Sequence, residues 1–191
     1  MLLKTSVLLC VVAVALQTLG LFDQPSSFQS IVEPEMTWCL SSHKGSFKQI
    51  GHVMPIIGMA LKAAGVLGER HTRGVGVFFN NPDQVPEDEL SWMIGYQCQA
   101  PRGVYYEQGG VRAYRVPQLP AIEATFPWRH MFTPILASAR VWPAMHRFLD
   151  EKNLTKEAPF VEFYDADEAG NLQTIRFVAY QDTAFEEVFV G

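Results

Sequence analysis

Apolar residues fall at helical spacing in two stretches of this chain, and each stretch is flanked in the same way, by one extended run before it and two after it. The first stretch sets Phe47, Ile50, Met54, Ile57, Leu61 and Ala64 three or four residues apart. The second does so with Phe132, Ile135, Leu136, Ala139, Trp142, Met145 and Leu149. Such spacing gathers the apolar side chains on one helical face, which a core must cover. Runs with strand character lie at 36–41, 75–79 and 90–99 around the first stretch, and at 111–116, 122–126, 160–164 and 174–180 around the second. Strand, helix, strand, strand, used twice, predicts an α+β fold of two pseudo-symmetric units with a groove between them, where clefts commonly hold ligands.

Punctuation refines this reading. Gly65 suits a helix C-cap, and Pro55 and Pro143 predict kinks inside the two helical stretches. The runs at 111–116 and 122–126 read as one long strand broken by Pro117 and Pro120. Residues 23–34 carry no periodicity and read as a polar tether, so the folded domain is expected over 35–191.

Residues 1–22 stand apart. An apolar run of about 18 residues follows Lys4, near the lower limit for crossing a bilayer. It reads as an uncleaved single-pass signal anchor or as a cleaved signal peptide. Lys4 precedes the run while Asp23, Glu33 and Glu35 follow it, so charge places the domain on the extracytoplasmic or luminal side.

With 191 residues and a net charge of −5, the chain is large enough for one well-filled domain and lacks the basic cluster a nucleic-acid surface needs. No nucleic-acid partner is expected. The five histidines form no metal-ligand pattern, and Gly74-Val75-Gly76 lacks the further glycine of a phosphate loop, so neither metal nor cofactor is expected. Cys39 and Cys98 both fall in predicted strands. Two buried free thiols is the simpler reading, and a disulfide requires those strands to be neighbours with both cysteines facing alike. Asn153-Leu154-Thr155 is a glycosylation sequon.

The run Pro159-Phe160-Val161-Glu162-Phe163-Tyr164 is apolar and aromatic except for one carboxylate. Strand alternation puts Phe160, Glu162 and Tyr164 on one face and Val161 and Phe163 on the other. If Val161 and Phe163 pack under helices, Glu162 sits between aromatics on the opposite face. A carboxylate there costs several kcal/mol if buried unpaired, so it is paired internally, exposed, or waiting for a ligand.

That run, together with Val75-Gly76-Val77-Phe78-Phe79-Asn80-Asn81-Pro82, Ala124-Thr125-Phe126-Pro127 and Arg140-Val141-Trp142-Pro143-Ala144-Met145, resembles the GyrI-like small-molecule-binding family over residues 36–190. The second and third segments look closest to a testis-expressed branch of endoplasmic-reticulum autophagy receptors. The resemblance implies a non-enzymatic, membrane-tethered module that binds a small aromatic or cationic ligand in a groove centred on Glu162. Tyr164, Trp38 and Trp92 are the aromatics expected there, and Phe79, Tyr96 and Tyr114 are further positions able to line it. Two alternatives accompany it: a membrane adaptor on the cytosolic face of the endoplasmic reticulum with protein partners, and a hydrolase acting in the same groove. Phe185-Glu186-Glu187-Val188 has the spacing of a short recognition motif, and its simpler reading is packing at a domain edge.

Overall fold

Both amphipathic stretches are helices in the computed structural model, which describes residues 16–67, 73–82, 84–99, 107–108, 110–154 and 159–189. A short 3-10 turn at Phe47–Gln49 leads into α1 (Ile50–Ala63), and α2 spans Thr133–Glu151. α1 runs on through Pro55 and α2 through Pro143, so neither proline ends its helix. A last short helix, α3 (Ala184–Glu187), follows the final strand.

Among the described residues, nine strands make one antiparallel sheet: β1 (Gln29–Glu33), β2 (Met36–Lys44), β3 (Gly74–Phe78), β4 (Ser91–Gln97), β5 (Glu107–Gln108), β6 (Val111–Val116), β7 (Leu119–Pro127), β8 (Phe160–Ala166) and β9 (Leu172–Tyr180). Their order across the sheet is β1-β7-β9-β8-β3-β4-β2-β6-β5. Two connections decide the shape. β6 and β7 are joined by Pro117 and Gln118 alone, yet six strand spacings separate them in the sheet. On a flat sheet that is about 29 Å, against a reach of roughly 11 Å for the link. The sheet therefore curls until its ends approach. The short step from β1 to β2 demands the same closure.

Curling gives the sheet an inner and an outer face. The inner face is filled by Trp38, Leu40, Val75, Val77, Val116, Val161, Phe163, Val178 and Tyr180, with Phe185 of α3 closing one side. On the outer face, α2 buries Ala137, Val141, Met145 and Leu149 against Ile122, Ala124, Phe126, Ile175 and Phe177. α1 buries Ile57 and Leu61 against Trp92, Ile94 and Val111. Apolar burial on both faces is the main stabilising contribution.

Several expectations are corrected here. The runs at 111–116 and 122–126 are not one strand; they lie near opposite ends of the sheet. The tether assigned to 23–34 contains β1, which pairs with β7 and turns Ile31 and Glu33 inward. For Phe185–Val188 the simpler reading, packing at a domain edge, holds: Phe185 is fully buried against Trp38 and Tyr180. Cys39 of β2 and Cys98, just beyond β4, form a disulfide with 5.8 Å between Cα atoms. β2 and β4 are hydrogen-bonded neighbours, which meets the condition for a bond rather than two free thiols.

The single-pass anchor expected over 1–22, with the domain extracytoplasmic or luminal, is also corrected. No helix among the described residues is long and apolar enough to cross a membrane. The described part of that segment is a helical turn over 16–18 ending near Gly20, whose φ of 70° is left-handed. Its chain is tied to α2 and to the residues just before it: Arg140 of α2 donates to the carbonyls of Leu21 (2.5 Å) and Asp23, and Arg129 pairs with the Asp23 carboxylate at 2.9 Å. Residues 1–15 and Thr155 of the sequon lie outside the described residues.

Candidate ligand site at Glu162

Glu162 lies on the outer face of the sheet, under the helices, and not on the face opposite them. The alternation along β8 was read correctly, but the two faces were exchanged: Val161 and Phe163 point into the curled interior with Trp38. Across the sheet, Glu162 pairs in register with Gly76 and Tyr164 with Gly74, while Gly76 and Gly74 in turn pair with Ile94 and Tyr96 of β4. The seam between the parts of the sheet covered by α1 and α2 therefore runs over two glycines with no side chains of their own.

Three donors hold the Glu162 carboxylate. Ser138 Oγ (2.9 Å) and Trp142 Nε1 (3.0 Å) of α2 donate to Oε1, and Tyr164 Oη donates to Oε2 at 2.7 Å. Ser138 and Trp142 are one helical turn apart, so α2 presents both to one oxygen. Every donor is neutral, and among the described residues no cation pairs with Glu162. At 3% exposure the carboxylate is nearly out of water. Burial pushes its pKa up from the ordinary 4.5, against the opposing pull of the Tyr164, Ser138 and Trp142 hydrogen bonds. Burial and the Glu162 charge also push the Tyr164 phenol well above its usual range, so it keeps its proton and remains a donor.

The space beside the carboxylate is occupied by two side chains. A Cβ on Gly74 would stand 2.2 Å from the Met54 methyl, and one on Gly76 would stand 3.0 Å from the Phe78 ring. Phe78 is braced edge-on by Phe47, with centroids 5.1 Å apart. Met54, a flexible thioether, packs partly buried against the apolar clusters under both helices. Tyr96 stands on the far side of Gly74 and donates to the Met54 carbonyl at 3.2 Å.

The structure brings Glu162 and Tyr164 together and leaves the two predicted tryptophans elsewhere. Trp38 is fully buried on the inner face, 5.6 Å from Phe163 between ring centroids, and Tyr114 belongs to the same interior, where Phe79 also packs. Trp92 shares the outer face but lies at the Phe78 end, stacked on His43 at 4.5 Å and donating to the Gly45 carbonyl at 2.9 Å. Of the further aromatic positions, Tyr96 alone stands at the seam. Sequence reasoning missed Ser138, counted Met54 and Trp142 only as apolar helix positions, and weighed Gly74 and Gly76 only as a phosphate loop. Alternating glycines in a strand mark a close approach by something else, and that was the available signal.

No protein-family profile matches the chain. The fold is consistent with the GyrI-like fold, as two solved structures show. The EcmrR C-terminal domain superposes with a TM-score of 0.58 at 11% identity, covering 83% of this chain and 96% of that one. SAV2435, solved bound to tetraphenylphosphonium, gives 0.51 at 11% identity over 84% of this chain and 97% of its own. Among curated proteins, human testis-expressed protein 264 is similar, at 27% identity over 104 residues. That match covers 50% of this chain and 33% of the human protein, so the chain spans about a third of that relative's length.

Proposed function

We propose that this chain binds a small, lipophilic aromatic cation over Glu162, in the seam between α1 and α2. The observation that carries the reading is a buried carboxylate held by three neutral donors and, among the described residues, no cation. A desolvated carboxylate with one charge unanswered gains most from a ligand that supplies the missing charge and brings apolar surface with it. Tetraphenylphosphonium, bound by SAV2435 on the same fold, has that chemistry. The two pseudo-symmetric units of the sequence reading would place the ligand where the halves meet.

The same geometry suggests how a ligand enters. Tyr164, Gly74 and Tyr96 occupy adjacent strands, so the two tyrosines stand about 9.5 Å apart across the glycine. One flat ring in van der Waals contact with both needs roughly 7–8 Å. Met54 fills that slot, and swinging its side chain aside opens it while Phe78 stays braced. Trp142, bonded to the carboxylate, reports on occupancy. Titrating the full chain with tetraphenylphosphonium should give a saturable change in tryptophan fluorescence. Met54→Ala should bind several-fold more tightly, since no side chain has to be displaced. A chain that shows no saturable change in either form does not have this function.

A further inference from the structure

The interior of the curled sheet holds a polar group set that the Glu162 site does not use. Glu33 Oε2, Trp38 Nε1 and Tyr180 Oη are buried without a hydrogen-bond partner among the described residues. Their residues are 3%, 0% and 0% exposed. Buried polar atoms are nearly always satisfied, by protein or by ordered water.

The three groups belong to one neighbourhood. The Trp38 and Tyr180 rings lie 6.4 Å apart between centroids, and Trp38 lies 5.6 Å from Phe163. The Arg176 guanidinium carbon sits 5.1 Å from the Phe163 centroid while its NH2 group pairs with Glu33 Oε1, which brings the carboxylate to the same rings. After burial, the Glu33 charge is the largest influence raising the Tyr180 phenol above its usual range, as expected of close neighbours. Arg176 also pairs with Glu123, so one guanidinium serves two carboxylates and leaves Glu33 Oε2 as an unanswered acceptor.

Two donors and one acceptor remain, and that is a set one water molecule satisfies. It accepts from the indole N–H and the phenol O–H and donates to the carboxylate, reaching the roughly three hydrogen bonds usual for buried water. We infer that the curled sheet contains a specific internal water site built by Glu33, Trp38 and Tyr180, separate from the ligand seam on the outer face. The water completes the coordination that lets a carboxylate stand among aromatic rings.

Water-selective NOE and ROE spectroscopy of the 15N-labelled full chain tests this at the Trp38 indole proton. A cross-peak at the water frequency is expected, with NOE and ROE of opposite sign, the signature of a long-lived neighbour rather than of exchange of the indole proton itself. It should persist in Tyr180→Phe, where no phenol proton can relay it. Absence of the peak in the wild type, or its loss in the variant, overturns the inference. A high-resolution crystal structure decides independently of the variant: an oxygen within hydrogen-bond distance of all three atoms supports the site, and a direct bond from Tyr180 to Glu33 removes it.

Discussion

Glu162 shows how much one residue's surroundings decide. The same side chain on an exposed strand would be solvated and unremarkable. Here α2 supplies Ser138 and Trp142, and β8 itself supplies Tyr164, so the carboxylate is held in place while no described residue gives it a counter-charge. Burial raises its pKa above 4.5 in the folded state. For an acid with a raised folded pKa, the stabilising contribution is full below about pH 4.5 and is lost as pH rises through the folded value. The stability of the wild type minus that of Glu162→Gln should therefore fall as pH rises from 4.5 toward neutrality, in urea unfolding at a series of pH values. A flat difference would mean that the carboxylate is not desolvated. The motif and its strand alternation were legible in the sequence. Which face carried the helices was not, because both faces of β8 are covered by apolar groups and alternation only divides residues into two sets.

At the scale of elements, the glycines of β3 and β4 have different work. Gly74→Ala would meet the end of the flexible Met54 side chain at 2.2 Å and Tyr164 Cβ at 3.2 Å. Met54 can move, so the cost should stay near 1 kcal/mol, while the added methyl occupies the ligand slot and abolishes binding. Gly95→Ala would set its Cβ 2.0 Å from the Cys39 carbonyl oxygen, a backbone atom that cannot step aside. That variant should lose about 3 kcal/mol of stability, and denaturant unfolding of the pair separates the two roles. The helices were readable from apolar spacing, but not every position of their buried faces: Phe132 and Ile135 are exposed, while Ala137 and Val141 are buried. The break between β6 and β7 was not readable, since two extended runs joined by a Pro-rich link look like one interrupted strand. Only the sheet order shows that the link crosses from one end of the sheet to the other.

For the whole molecule, closure of the sheet organises the rest. It creates an interior independent of the outer helical face, so the Glu162 seam and the Glu33–Tyr180 interior are distinct environments within one fold. The Cys39–Cys98 bond ties β2 to the end of β4, across a sequence separation of 59 residues. A loop of that length corresponds to about 4 kcal/mol in a chain-entropy estimate. Thermal unfolding with and without reductant should show a clear loss of stability in the reduced protein, and equal midpoints would mean that the bond adds nothing. The likeness to GyrI-like domains was legible from motif order, whereas the fate of residues 1–22 was not, because hydropathy alone cannot distinguish a bilayer span from an apolar segment with another role.

The most direct test is calorimetric titration of tetraphenylphosphonium into the wild type and Glu162→Gln at a pH where the carboxylate is ionised. Placing the missing charge over Glu162 predicts binding to the wild type and at least about tenfold weaker binding to the variant, a difference of roughly 1.4 kcal/mol. Equal affinities for the two proteins, or no binding to either, would contradict it.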